Sequence, residues 1–217
     1  MTPLLQIFAR APVAGECKTR LIPALGAAGA AELQKRLTRH TLQTAMAWRT
    51  KHAGARVELW CTPASDHPDF AACASEFAVE LRDQSGGDLG ARMWLAMVGA
   101  LRSGQRPVLI GTDCPWLDVA AIDRLHQTLA HHDCAFIAAD DGGYVAIGLA
   151  RAVPELFAGV GWGGAKVMAQ TRERARKARA TLAETGRLPD IDVPQDLMRL
   201  RDDSALAHLI PAAARLS

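Results

Sequence analysis

The chain has 217 residues, of which 49% are hydrophobic and 22% are charged, and its formal net charge is +2. This is the balance of a soluble globular protein, and the small net charge gives no support for a nucleic-acid partner. The five scattered cysteines contain no C-x-x-C pair, which favours reduced thiols in a cytoplasm over a disulfide framework or a zinc site. No segment is long enough to span a membrane, and the first apolar run is too short for a signal peptide. We therefore expect a cytoplasmic protein with a single domain over residues 1–217.

Apolar runs alternate with helical patterns along most of the chain, which predicts an α/β fold with a mostly parallel sheet and helices on its faces. The predicted strands are Leu4–Ala9, Val57–Cys61, Ala78–Leu81, Pro107–Gly111 and Cys134–Ala139. Four helices are predicted between these strands. The first has apolar positions from Ala30 to Trp48, and the second lies near Pro68–Glu76. The third follows Asp88, with Leu89 and Met93 facing the core, and the fourth runs from about Asp118 to Ala130.

The alternation changes after the fifth strand. The run Tyr144–Leu149 follows a glycine-rich turn and is predicted to fold back as an antiparallel strand. A helix after Trp162 is expected to continue to Leu182, followed by a short strand over Arg187–Ile191 and a helix opened by Pro194. The tail, residues 204–217, is expected to dock either on the body of the protein or on a second copy.

A glycine loop carrying basic residues follows the first strand. Within Phe8–Leu21, the cations Arg10, Lys18 and Arg20 accompany Gly15, which lets the backbone approach a ligand closely. Oriented amides and fixed positive charge at this end of an α/β sheet favour a phosphate group. The loop lacks the glycine that precedes the Lys-Thr pair of a Walker A motif. The alternative is a surface loop with solvated cations.

Carboxylates occur where later loops leave their strands. Asp113 follows the buried fourth strand and is well placed to hold Mg²⁺ or Mn²⁺ on a diphosphate; the alternative is an Asx turn. Asp190 and Asp192 lie on one side of an extended segment and suit hard cations, and we take Asp192 as the metal ligand. Asp196, in the first turn of a helix, is explained by the helix dipole alone.

Two glycine-rich segments complete the set of motifs. The segment Asp140–Tyr144 is either a hairpin turn or a set of backbone amides that hold an anionic acceptor. In Gly86–Arg92, Asp88 is predicted to cap a helix, and the glycines leave room for a planar base against the backbone. Arg92 can pair with Asp88 or reach a phosphate.

Taken in order, these segments resemble a bacterial family of GT-A-like transferases, which is grouped with the nucleotide-diphospho-sugar transferases and whose members are often called glycosyltransferases. The family also resembles guanylyltransferases that act on 2-phospholactate or phosphoenolpyruvate. The matching segments are Phe8–Leu21, Gly87–Met93, Ile110–Pro115, Asp141–Tyr144, Trp162 and Asp190–Asp196. The resemblance covers almost the whole chain and implies a three-layer α/β/α fold.

The resemblance also implies roles for individual residues. The implied nucleotide-binding residues are Ala9, Arg10, Gly15, Lys18, Thr19, Arg20, Gly87, Asp88, Gly90 and Arg92. The implied acceptor-binding residues are Asp141, Gly142, Gly143, Tyr144 and Trp162. The implied catalytic residues are Lys18, Arg20 and Asp113. The implied ligands of the metal, Mg²⁺ or Mn²⁺, are Asp113 and Asp192. The chain departs from the family pattern at Arg10, at Val145-Ala146 and at Gly163-Gly164.

Three functions remain open on the sequence. The first, slightly favoured by the basic loop, is nucleotidylyl transfer from a nucleoside triphosphate to a small phosphorylated acceptor, with loss of pyrophosphate. The second is transfer of a sugar from a nucleotide-sugar donor. The third is a nucleotide-responsive binding protein that retains the fold without catalysis.

Overall fold

A computed structural model of the chain describes residues 2–212. The strands in this range are β1 (Thr2–Arg10), β2 (Arg56–Thr62), β3 (Glu80–Asp83), β4 (Gln105–Ile110), β5 (Cys134–Ala139), β6 (Tyr144–Leu149) and β7 (Leu182–Leu188). The helices are α1 (Ile22–Lys51), α2 (Pro68–Phe77), α3 (Leu89–Arg102), α4 (Val119–Thr128), α5 (Val167–Lys177) and α6 (Asp196–Asp202). The predicted elements are therefore confirmed in type and order up to β6.

Over residues 2–212 the strands form one seven-stranded sheet in the order β3-β2-β1-β4-β6-β5-β7. Strand β6 runs antiparallel to both β4 and β5, and the other pairings are parallel. The sheet is thus mostly parallel, and the predicted antiparallel strand over 144–149 is confirmed.

Helices cover both faces of the sheet, which gives the predicted three layers. Leu5 and Ile7 of β1 pack in one core with residues of α1, α2 and α4. The neighbouring Phe8 faces the opposite core, where residues of α3 and α5 lie. Successive side chains of β1 thus point to opposite faces of the sheet, and both faces are buried, as expected for a central strand.

The chain reverses its direction across the sheet between β1 and β4. After β1 it proceeds outward to β2 and β3, and then returns to place β4 on the other side of β1. Strands β1 and β4 are parallel, so the loops that follow them leave the sheet at the same edge. In open α/β sheets, ligands bind in the crevice at such a reversal point.

The prediction was wrong at the boundary between α5 and β7. The helix ends at Lys177, and β7 begins five residues earlier than the predicted strand over Arg187–Ile191. Arg179 adopts a left-handed conformation (φ 51°), which stops the helix. Ala178 and Leu182 nevertheless pack against one core, so their spacing resembles that of a continuing helical face.

The prediction for Leu89 was also wrong. Leu89 was predicted to face the core but is 37% exposed.

The described part of the tail docks on the body of the protein. Leu206 and Leu209 are buried in a cluster with Leu33 and Leu37 of α1. Arg36 Nη1 donates hydrogen bonds of 3.0 Å to the carbonyls of His208 and Ile210. Residues 213–217, which belong to the same predicted tail, lie outside the described residues. Within 2–212, the helices are too short or too polar to cross a membrane.

Candidate nucleotide-binding site

A cleft of about 650 Å³ lies at the edge of the sheet where β1 and β4 end. We call it the main cleft. Most of the site residues predicted from the sequence line it, namely Ala9, Arg10, Lys18, Thr19, Arg20, Arg92, Asp113, Asp141, Gly143, Tyr144, Trp162 and Asp192. The remaining predicted residues, Gly15, Gly87, Asp88, Gly90 and Gly142, are not among the lining residues. The fold therefore gathers the basic loop and the carboxylates into one cavity.

Lys18 links three loops of the main cleft. It has a left-handed backbone conformation (φ 48°, ψ 40°) immediately before the short 3-10 turn Thr19–Leu21. Its ammonium lies 2.7 Å from Asp113 Oδ1, and the Lys18 side chain is only 3% exposed. The same ammonium donates to the backbone carbonyl of Ile191. An ammonium has three N–H donors, so these two contacts leave one of them unused.

Arg20 forms the second ion pair of the cleft, in a more exposed position. Its Nη1 lies 2.5 Å from Asp192 Oδ2, and the two side chains are 63% and 41% exposed. A solvent-accessible pair of this kind contributes little to stability, at most about 1 kcal/mol. Because the Arg20 side chain is largely exposed, its guanidinium stays accessible to an anionic ligand.

The loop after β7 is fixed against the loop after β4. The Ile191 amide donates to the Asp113 carbonyl over 2.8 Å. Asp196 Oδ2 accepts hydrogen bonds from the amides of Asp192 (2.9 Å) and Val193 (2.8 Å). Asp196, for which the sequence predicted no chemistry, thus orders the backbone that carries Asp192.

Asp190 is a cleft residue that the predicted site did not include, although it belongs to the Asp-x-Asp pair. Burial raises its pKa to about 6, and the nearby charges of Asp141, Asp192 and Asp113 add to this effect. Several negative charges therefore converge on this part of the cleft. Within the described range 2–212, no three His, Cys, Asp or Glu residues are already grouped to hold a metal.

The turn between β5 and β6 has the first of the two roles considered for it, that of a hairpin turn, and the Gly142 amide donates to the Ala139 carbonyl. It closes the predicted hairpin, with the Gly143 amide donating to Asp141 Oδ1 over 2.8 Å. The Gly142 carbonyl accepts from the Met168 amide of α5 over 2.9 Å. A Cβ at Gly142 (φ +92°) would collide with the backbone of Ala165, which explains the glycine. Asp141 and Gly143 still line the cleft.

Two aromatic rings form an apolar wall of the cleft. Tyr144 and Trp162 meet edge to face, with ring centroids 6.4 Å apart. The Tyr144 hydroxyl contacts Met93 Sδ at 3.9 Å, and burial raises the pKa of this hydroxyl above its ordinary value. A Cβ on Gly90 would lie 2.6 Å from both the Phe157 carbonyl oxygen and the Trp162 indole ring. Gly90 therefore lets Trp162 pack closely against the start of α3.

Asp88 caps α3, as predicted, because its Oδ1 accepts the Ala91 amide over 2.8 Å. Arg92 donates instead to Thr62 Oγ1 at the end of β2, over 3.4 Å. Gln84, which follows β3, also lines the cleft and was not predicted as a site residue. A single glutamine after a short polar strand carries no sequence signal that would have revealed it.

The fold and the cleft define a class, that of α/β proteins built like the nucleotide-diphospho-sugar transferases. Residues 33–164 match the model of a bacterial family described as "Uncharacterized protein conserved in bacteria (DUF2064)", and the chain belongs to this family. No curated protein matches the sequence.

Solved structures agree with this class. The whole chain is similar to 94% of a "putative nucleotide-diphospho-sugar transferase" from Desulfovibrio desulfuricans G20, with 28% identity and a TM-score of 0.83. A CMP:2-keto-3-deoxy-manno-octonic acid synthetase solved with CTP shares the fold at 12% identity and a TM-score of 0.56, over 94% of this chain and 99% of that one. Rv0371c from Mycobacterium tuberculosis H37Rv, solved with manganese, does so at 16% identity and a TM-score of 0.52, over 93% and 100%.

Cytidylyltransferases from Leptospira borgpetersenii and Thermus thermophilus share the fold as well. The 28% identity to the Desulfovibrio desulfuricans protein groups the chain with transferases, as the sequence predicted.

Proposed function

We propose that the protein transfers a nucleotidyl group from a nucleoside triphosphate to a small phosphorylated acceptor, with release of pyrophosphate. The observation that carries this proposal is the meeting of Lys18, Arg20, Asp113 and Asp192 in one cleft at the reversal point of the sheet. Fixed cations and carboxylates at this position suit a triphosphate and its metal ion. The CTP bound to one protein of this fold, and the resemblance to guanylyltransferases, support the same interpretation.

The protein groups would act by position and charge. An acceptor phosphate oxygen attacks the α-phosphorus, the bond from that phosphorus to the bridging oxygen of the β-phosphate breaks, and pyrophosphate leaves. Lys18 and Arg20 lie where they could neutralise charge on the departing pyrophosphate. An ionised acceptor phosphate needs no proton removed before it attacks, so no histidine base is required.

Asp113 and Asp192 fit a hard divalent cation because they supply carboxylate oxygens to the main cleft. Mg²⁺ is commonly held by one or two carboxylates together with substrate phosphates, which agrees with the lack of a pre-grouped three-residue cluster within 2–212. The metal, Mg²⁺ or Mn²⁺, would supply charge neutralisation on the phosphates. Manganese in Rv0371c supports a divalent ion in this fold.

Sugar transfer is the second candidate. It is favoured by the 28% identity, over the full chain, to the Desulfovibrio desulfuricans protein named for that activity. In that reaction the bond between the sugar and the diphosphate breaks, and a nucleoside diphosphate leaves. The same cations would then face a diphosphate, and the wall formed by Tyr144 and Trp162 would contact the sugar or its acceptor.

A thermal-shift screen with Mg²⁺ or Mn²⁺ separates these candidates. A ligand at 100 times its Kd stabilises the folded state by about 2.7 kcal/mol. For a chain of this size, that corresponds to a rise in Tm of roughly 5–10 °C. We expect nucleoside triphosphates to give this shift only with the metal. Stabilisation by sugar nucleotides alone would favour sugar transfer, and no shift with any nucleotide would contradict both candidates.

A further inference from the structure

A buried glutamine of α1 contacts the loop that carries Asp113. Gln34 is 3% exposed and lines the main cleft. Its side-chain Nε2 lies 3.0 Å from Thr112 Oγ1 and 3.3 Å from Thr38 Oγ1. The Thr38 hydroxyl already donates its proton to the Gln34 backbone carbonyl over 2.9 Å, so it can only accept from the side chain. The Gln34 amide therefore presents its NH₂ group to both threonines.

This orientation determines where the Thr112 hydroxyl can donate. Because Thr112 Oγ1 accepts from Gln34, its own proton is free for a different partner. Thr112 is only 3% exposed, and within residues 2–212 its hydroxyl finds no acceptor. A buried donor without a partner is costly, so a ligand that accepts from it gains binding energy. Thr112 lines the main cleft, which is where such a ligand would bind.

The surroundings of Thr112 favour an anionic acceptor. Thr112 immediately precedes Asp113, whose Oδ1 lies 2.7 Å from the Lys18 ammonium. That ammonium has one N–H donor unused after its bonds to Asp113 and the Ile191 carbonyl. A hydroxyl donor and a buried cation therefore adjoin the carboxylate that fits the metal ion. The oxygens of one phosphate group can be shared among a metal ion, a cation and a hydroxyl.

The loop that carries Thr112 is fixed from two sides. His40 Nε2 of α1 donates to the Pro115 carbonyl over 2.9 Å. From the other side, the Ile191 amide donates to the Asp113 carbonyl over 2.8 Å. The hydroxyl is thus held in place before a ligand binds, which lowers the cost of ordering it on binding.

We propose that the Thr112 hydroxyl donates a hydrogen bond to a phosphate of the bound triphosphate, and that Gln34 is the positioning residue that directs this hydroxyl toward the ligand. The inference rests on the proposed nucleotide-binding function and adds to it two residues that the sequence did not predict.

The test measures the affinity of the full chain for the tightest-binding of ATP, CTP, GTP and UTP in saturating Mg²⁺. Thr112→Val keeps the shape of the side chain but removes the hydroxyl, so triphosphate binding should weaken at least about tenfold. Thr112→Ser retains the hydroxyl and should bind within about threefold of the wild type. The matching nucleoside has no phosphate, and its affinity should be unchanged in both variants.

Thr41→Val is the matched control. Thr41 is a buried threonine of α1 outside the main cleft, and its hydroxyl donates to the Leu37 carbonyl over 3.0 Å. The substitution removes a buried hydroxyl of the same kind. It should leave the affinity for the triphosphate unchanged.

The Mg²⁺ dependence distinguishes a direct contact with phosphate from an effect through Asp113. With the triphosphate at the same multiple of each protein's Kd, half-maximal binding should require the same Mg²⁺ concentration in Thr112→Val as in the wild type. A higher Mg²⁺ requirement would show that the hydroxyl acts through the metal ligand, and it would overturn the direct contact.

A double-mutant cycle tests the positioning role of Gln34. Gln34→Met removes the amide but keeps the length of the side chain, so the Thr112 hydroxyl can turn away and binding should weaken about threefold. In Thr112→Val no hydroxyl is left to direct, so adding Gln34→Met should cause no further loss. The double variant also leaves neither residue with an unpaired polar group, so it provides a folded protein even if Thr112→Val alone is unstable.

An affinity of Thr112→Val for the triphosphate within about twofold of the wild type would overturn the inference and leave the proposed function standing. An equal loss for the nucleoside, or a loss in Thr112→Ser as large as that in Thr112→Val, would overturn it in the same way. A full additional loss in the double variant would overturn the role of Gln34. Binding of no triphosphate by the wild type would overturn both the inference and the proposed function.

Discussion

Replacing Lys18 tests whether its ion pair with Asp113 holds the basic loop in place. The Lys18 side chain is buried, whereas both side chains of the pair between Arg20 and Asp192 are exposed. In Lys18→Met the methylenes keep most of their packing, while the bonds to Asp113 and to the Ile191 carbonyl are lost. Hydrogen bonds to charged groups contribute about 1.5–3 kcal/mol each. Asp113 is half exposed, so water recovers part of that loss. We expect the free energy of unfolding to fall by about 2 kcal/mol.

That loss corresponds to a decrease in Tm of roughly 4–8 °C for a chain of this length. Arg20→Met is the matched control because its pair with Asp192 is exposed on both sides, and it should change the free energy of unfolding by at most ~0.5 kcal/mol. Urea denaturation followed by circular dichroism measures both variants. Equal stability of Lys18→Met and Arg20→Met would refute the buried cross-link. Both variants should bind triphosphates more weakly than the wild type, with little change for the nucleoside.

Variants of a proposed metal ligand, one glycine and one histidine test other parts of the structure. Asp113→Asn should remain folded but lose the Mg²⁺ dependence of nucleotide binding, and unchanged dependence in calorimetric titrations would remove Asp113 from the site. Gly90→Ala should lower the free energy of unfolding by about 1–3 kcal/mol, because its Cβ would collide with the backbone of Phe157 and the indole of Trp162. Gly99→Ala is the control, since the space around its Cβ is open, and it should be neutral or stabilising. Equal Tm values for the two variants would contradict this. Burial, reinforced by nearby cationic groups, lowers the pKa of His126 to about 4 from its ordinary value of 6.5. The neutral ring therefore contributes stability that is full above pH 6.5 and is lost as the pH falls to 4, by up to about 3 kcal/mol. His126→Phe should flatten the pH dependence of the urea midpoint over this interval, and an unchanged slope would contradict the assignment.

Most of the sheet could be predicted because buried parallel strands are short apolar runs bounded by turn residues. The hairpin of β5 and β6 followed from the turn Asp140–Gly143 and is confirmed. Strand β7 was misplaced because Ala178 and Leu182 continue the helical spacing of α5, although the helix ends at Lys177 and Leu182 is the first residue of β7. The left-handed backbone at Arg179 lies in the short segment between Lys177 and Leu182, and local sequence patterns do not reveal such a conformation.

The location of the site could be predicted because loops after parallel strands leave the sheet at one edge. The contacts between side chains and backbone within the site could not be predicted. Lys18 and Ile191 are separated by 173 residues along the chain, and no local pattern indicates that they meet. Gln84 was missed because carbonyls at the ends of two other strands hold its side chain at the cleft. Gly90 was predicted to make room for a base, whereas the structure fills that space with Trp162.

Competition between a nucleoside triphosphate and the matching diphosphate tests whether the cleft binds a triphosphate whose pyrophosphate leaves. The additional phosphate brings negative charge within reach of Lys18, Arg20 and the metal ion. In saturating Mg²⁺ the triphosphate should bind at least about tenfold more tightly, which is about 1.4 kcal/mol. A diphosphate that binds as tightly as the triphosphate would contradict nucleotidylyl transfer and leave sugar transfer as the better account.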